Sequence, residues 1–117
     1  MMTKDNRRHI RIDSINLTYF ALDENDKIVK QSIGRTLNVS ESGILLETYI
    51  SVDLKQAILL AIGLEDDVVD IKGNVIYSAD CENGKYKTGI EFYDVDETAS
   101  QILKLFIDYF NRHERKG

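Results

Sequence analysis

Arginine recognises phosphate and guanine with one group. Its planar guanidinium stays charged, forks bidentately onto phosphate oxygens or onto O6 and N7 of guanine, and stacks on a base. Two arginines stand four residues apart in Arg7-Arg8-His9-Ile10-Arg11. In an extended segment Arg7 and Arg11 reach opposite sides of one ligand, while Arg8 points elsewhere and is the weaker candidate of the three. About thirty residues later comes Asn38-Val39-Ser40-Glu41-Ser42-Gly43, an NxSxxG turn. The Asn38 carbonyl and the Ser40 hydroxyl offer acceptors for the N1–H and N2–H donors of guanine's other edge. Gly43 supplies either a positive φ angle or room for a ring to approach the backbone. Arginine pairs and Ser-x-x-Gly turns are each common, so it is their order and separation that point to a receptor site for a cyclic dinucleotide, which carries two phosphodiester anions and two purine rings.

The rest of the composition narrows the alternatives. The net charge is −5, yet residues 4–11 hold Lys4, Arg7, Arg8 and Arg11 against Asp5 alone, a local +3 on a body of −8. A compact positive patch of this kind suits a small doubly charged anion, whereas DNA, RNA or an anionic bilayer calls for many cations spread over a face. A bond-making enzyme is not expected. The chain has one cysteine, Cys81, and two histidines, His9 and His113, far apart in sequence, and its acidic residues fall chiefly in turns without recognisable spacing. His9 reads as an exposed loop residue and His113 as a favourable residue at a helix C-terminus. A lone thiol fits a reducing cytoplasm. The polar start, Met1-Met2-Thr3-Lys4-Asp5-Asn6, lacks the apolar run of a signal peptide, and no stretch reaches the length of a membrane span. A cytoplasmic protein without membrane insertion is the expectation.

With 117 residues, 43% of them hydrophobic, and no proline or low-complexity linker, the chain reads as one domain over 1–117. Its parts are a flexible segment over 1–12, a barrel over 13–93 and a helix over 96–115. Ile15, Leu17, Tyr19 and Ala21 alternate as a half-buried strand does, and Asp23-Glu24-Asn25-Asp26 marks a turn. Ile28 to Val39 reads as a second strand ending at the NxSxxG turn, and Ile44-Leu45-Leu46 begins a third. Ala57 to Leu64, bounded by Glu65-Asp66-Asp67, reads as a fourth. Val68 to Ser78 is a fifth, with Gly73 as a plausible bulge where the sheet curls. Asn83-Gly84 signals a hairpin into a last strand, Tyr86 to Tyr93. Thr98-Ala99-Ser100-Gln101 has the form of a capping box. After it Ile102, Leu103, Phe106, Tyr109 and Phe110 recur at helical spacing, opposite Gln101, Lys104, Asp108, Asn111, Arg112 and Arg115. The expected fold is all-β, a small six-stranded antiparallel β-barrel with a C-terminal α-helix packed against it.

The RxxxR pair followed by NxSxxG at the end of the second strand resembles the PilZ domain family of bacterial cyclic di-GMP receptors. Gly73-Asn74-Val75-Ile76-Tyr77 and Tyr86-Lys87-Thr88-Gly89-Ile90-Glu91-Phe92 are similar to that family's late strands, so the likeness runs from about Arg7 into the final helix. The resemblance implies a barrel whose arginine segment, loose without ligand, folds over one cyclic di-GMP or an intercalated pair. Arg7 and Arg11 then grip guanine and phosphate, while Asn38, Ser40 and Gly43 hold a base. The family accepts Asp or Asn at the first turn position; Asn38 offers one uncharged acceptor where a carboxylate offers two charged ones. The implied role is second-messenger signalling of the kind that governs motility or biofilm formation, relayed to a downstream protein by a monomer or weak homodimer. The alternative is a ligand-free adaptor of the same fold that acts only through protein contacts.

Overall fold

The computed structural model describes residues 16–64 and 67–113. Arg7, Arg8, His9, Arg11, the flexible segment expected over 1–12 and the turn expected at Glu65 and Asp66 lie outside them. Six strands follow one another: β1 (Asn16–Leu22), β2 (Ile28–Val39), β3 (Gly43–Thr48), β4 (Ala57–Leu64), β5 (Asp67–Asp80) and β6 (Tyr86–Tyr93), then helix α1 (Glu97–His113). They close into a barrel in the order β1-β2-β3-β6-β5-β4, every neighbouring pair antiparallel. The expected fold is therefore the observed one.

Alternation of side chains builds the interior, since a strand sends every second residue to one face. Leu17 and Tyr19 of β1, Leu46 of β3, Ile58, Leu60 and Ile62 of β4, Ile71 and Val75 of β5, and Ile90 and Phe92 of β6 form one buried cluster. Helix α1 packs against β4 and β5 and adds Ala99, Leu103, Phe106 and Phe110 to it, an a/d-type stripe at spacings of four, three and four. Of the stripe expected from sequence, Ile102 and Tyr109 are only half-buried. His113 accepts the expected helix-end place: its Nδ1 lies 3.0 Å from the Tyr109 carbonyl and its ring stacks on Tyr109 at 4.1 Å. The Tyr19 hydroxyl is enclosed near the Ser32 and Thr48 side chains, with no well-formed hydrogen bond among the described residues. Burial pushes its pKa up, an effect partly offset by the hydroxyls of Ser32 and Thr48.

Two turns follow their sequence signals. Asp23 accepts from the Asn25 and Lys27 amides through Oδ1, and Asp26 turns the chain at φ 63°. Asn83 and Gly84 both take positive φ, closed by the Cys81 amide donating to the Lys85 carbonyl at 2.8 Å. Two local expectations are corrected. Gly73 is no bulge: it pairs in register with Ile58 on one side and Phe92 on the other, and a Cβ there would stand 2.5 Å from Ile90 Cγ2 and 2.7 Å from the Glu91 carbonyl oxygen. It is a glycine because β6 presses on it, and the bulge falls at Ile76, between Val75 and Tyr77. The helix cap is Asp96 and not Thr98, for Asp96 Oδ1 accepts from the Ala99 amide at 2.8 Å. Gln101 reaches Glu97 Oε2 at 3.3 Å instead of closing a box. Among the described residues no helix is long and apolar enough to cross a membrane.

Candidate functional site

The NxSxxG segment is the β2–β3 connection, and it is held by its own polar groups. Ser40 donates its amide to the Gly43 carbonyl at 2.8 Å. Its hydroxyl accepts from the Ser42 amide at 3.2 Å, meets the Ser42 hydroxyl at 3.1 Å and donates to the Gly43 carbonyl at 3.4 Å. Ser40 thus does the work of a turn serine. Asn38 Oδ1 accepts from the Val39 amide at 3.0 Å, which fixes the side chain and, among the described residues, leaves its amide N–H donors and a second lone pair unspent. The Phe92 amide donates to the Ser42 carbonyl at 2.9 Å and ties the turn to β6.

A bulge aims Asn38. Along β2, Gly34 and Thr36 face inward, and strict alternation would send residue 38 inward too. The ladder to β3 slips between Thr36, paired with Leu46, and Asn38, paired with Leu45. Leu37 is the extra residue. Asn38 is exposed and Val39 takes the buried place. The bulge at Ile76 on β5 does the matching thing across the wall: Ile71, Gly73 and Val75 face inward, and the slip leaves Tyr77, which alternation would send inward, 50% exposed beside Ile76.

Between these bulges the outer wall of β2, β3, β6 and β5 carries an open pocket of about 260 Å³. Asn38, Ser40 and Gly43 all line it, so the structure brings together the three described residues that the sequence singled out. Gly43 is there because of strand crowding. Its φ is not positive, and a Cβ would stand 2.5 Å from the Ile90 carbonyl oxygen. Of the two reasons expected for this glycine, the positive φ is excluded, and the space it leaves is taken by the close approach of β3 to β6. Gly89, also in the lining, leaves a groove over which Tyr77 lies, its Cβ 3.0 Å from where a Gly89 Cβ would be.

Ser42, Ile76, Gly89 and Glu91 line the same pocket and were not read from the sequence as site residues. Gly89 and Glu91 come from β6 and Ile76 from β5, so their place depends on pairings between distant strands, Gly43 with Glu91 and Tyr77 with Gly89. The only local signal was the run of glycines in the late strands. Chemically the wall offers amide and hydroxyl groups at the turn, an apolar floor from Leu45, Ile76 and the glycines, and one carboxylate, Glu91. Among the described residues of the lining there is no cation. Its volume lies below the roughly 300–1,000 Å³ of a cleft that encloses a small organic ligand, so this wall suits one planar group rather than a whole molecule. Among the described residues no cluster of His, Cys, Asp and Glu could hold a metal ion.

A family model for the PilZ domain matches residues 5–109, a span that takes in both the arginine pair and the turn. The fold is similar to the PilZ domain with c-di-GMP of YcgR from Escherichia coli, with TM-score 0.62 and 12% identity over 86% of each chain. It is also similar to the inhibitor of motility MotI (DgrA) of Bacillus subtilis, TM-score 0.58 and 19% identity over 87% of this chain and 50% of that one. A third likeness is to MrkH of K. pneumonia in its apo state, TM-score 0.57 and 14% identity over 86% of this chain and 47% of that one. The chain thus spans about half the length of the last two. At such identities these likenesses speak for the fold alone. No curated protein matches the sequence. The family model covers all but the two ends of the chain, and the protein belongs to the PilZ domain family.

Proposed function

We propose that this protein is a cytoplasmic receptor for cyclic di-GMP, acting by binding and not by bond chemistry. The observation that carries the reading is the convergence of Asn38, Ser40 and Gly43 on one open pocket, in a chain whose family match, residues 5–109, also spans the arginine pair. The described wall is polar at one end, apolar in the middle and without cations, so it receives a base and leaves the phosphates to groups from elsewhere. Arg7 and Arg11 are those groups, with Arg8 as an auxiliary. Closing their segment over the pocket places guanidinium forks against phosphate and the Hoogsteen edge of guanine, while the turn faces the donor edge. The closed segment alters the surface offered to a downstream protein, and that change is the signal.

Calorimetric titration of the full chain with cyclic di-GMP, with GTP and cyclic di-AMP as controls, tests the reading. Saturable binding of the guanine dinucleotide alone is expected. A good bidentate arginine–guanine pair is worth about 1–3 kcal/mol, so Arg7→Ala and Arg11→Ala should each weaken binding by roughly ten- to a hundredfold without lowering the melting temperature of the free protein. Heats at the dilution baseline for the wild type would leave the ligand-free adaptor as the better reading.

A further inference from the structure

We propose that Glu91 is the charged acceptor that selects a guanine ring at this pocket, a role that rests on the cyclic di-GMP reading above. Glu91 is exposed, lines the pocket and is the sole charged side chain in its described lining. Its neighbours on the flanking strands are Gly43 on β3 and Asn74 on β5, neither of them charged. Because Gly43 has no side chain, nothing on β3 stands between the Glu91 carboxylate and the Ser40–Ser42 turn. Three acidic residues of the surface have a cationic neighbour, Asp26 4.0 Å from Lys72, Glu47 3.9 Å from Lys85 and Asp108 3.1 Å from Arg112, but none of the three lines the pocket. Among the described residues Glu91 has no ion pair or side-chain hydrogen bond, which is an odd place to leave a carboxylate if the pocket serves an anion.

The chemistry of guanine resolves the oddity. Its N1–H and N2–H lie side by side and match the two oxygens of one carboxylate, and hydrogen bonds to an ionised acceptor are roughly twice as strong as neutral ones. Asn38 offers a single neutral carbonyl, already shared with the Val39 amide. Glu91 lies two strands and two residues away from Asn38, about 12 Å by sheet spacing, with β3 between them. A purine lying over the apolar floor turns its donor edge toward Glu91, which shares that edge with the adjacent Ser40–Ser42 turn, and leaves its acceptor edge for an arginine. Adenine, with an acceptor at N1 and no 2-amino group, would face the carboxylate with repulsion, so one residue both attracts the right base and rejects the wrong one.

Glu91→Gln separates this role from that of a bystander by the sign of its effect. The side chain is exposed and unpaired among the described residues, so the variant should melt with the wild type. A bystander carboxylate near a dianionic ligand only repels it, and its removal would tighten binding, more at low salt than at high. A recognising carboxylate gives the opposite result: the variant's amide would set N–H against N–H, and affinity for cyclic di-GMP should fall about tenfold. The second arm uses cyclic di-IMP, whose hypoxanthine rings lack the 2-amino group. The wild type should prefer the guanine ligand and Glu91→Gln should narrow that preference. Unchanged or tighter binding by the variant, or an equal loss for both ligands, would overturn the role of Glu91 while leaving the receptor intact. A wild type that gives no heat with cyclic di-GMP would overturn the receptor and this role together.

Discussion

The wall under the pocket depends on a missing atom. At Gly43 a methyl group would sit 2.5 Å from the Ile90 carbonyl oxygen, and that contact is with backbone, which cannot swing aside as a side-chain tip can. Gly43→Ala must therefore push β3 and β6 apart where Gly43 pairs with Glu91 and where the Phe92 amide reaches the Ser42 carbonyl. Overpacking of this kind costs about 1–3 kcal/mol, and urea denaturation of the variant should show a loss in that range. The pocket floor should distort with it, so ligand affinity falls as well. A variant as stable as the wild type would mean that the strands part freely, and the close approach would then no longer explain the glycine. Read from sequence alone, Gly43 offered either a positive φ or room at the backbone for a ligand ring. The reason it is glycine lies some fifty residues further along the chain, in β6.

Elements were legible where their signal is local. Strand alternation, the Asp23–Asp26 turn and the Asn83-Gly84 hairpin each rest on a few consecutive residues, and their places agree with expectation. The bulges at Leu37 and Ile76 were not, because a bulge is a property of two paired strands and leaves the one-strand pattern merely irregular. They are also what turns Asn38 and Tyr77 outward, so the site was legible in its motif and illegible in its walls. Helix α1 shows a local ambiguity settled by its first hydrogen bonds. Thr98 and Asp96 are both residue types that suit a cap, but the Ser100 amide donates to the Asp96 carbonyl at 2.8 Å and the Ala99 amide to Asp96 Oδ1, so the first turn is already wound before Thr98. That places the cap at Asp96. Asp96→Ala should cost about 0.5–2 kcal/mol, the worth of an N-cap. Thr98→Ala, on the exposed first turn, should stay within about 0.5 kcal/mol of the wild type. The reverse order in urea denaturation would return the cap to Thr98.

At the scale of the molecule, closure of the sheet decides how local changes spread. A barrel has no free edge, and its closing seam pairs β1 with β4, from Thr18–Ala61 to Leu22–Ala57, so each strand is hydrogen-bonded on both sides. The pocket lies on the wall of β2, β3, β6 and β5, whereas α1 packs on β4 and β5. Wall and helix meet through one buried cluster, in which Phe106 is fully enclosed alongside Leu46 of β3 and Ile90 of β6. A helix that merely decorated the barrel could melt by itself and leave the pocket standing. A helix whose stripe completes the core cannot, because unwinding it exposes the barrel's own interior to water. Phe106→Ala removes the largest of these side chains and should cost about 3–5 kcal/mol. Helical circular dichroism and near-ultraviolet tyrosine signals should still fall together, in a single transition at lower temperature. Two separated transitions, with the tyrosine signal surviving the helical one, would show instead that the barrel and its pocket stand without α1.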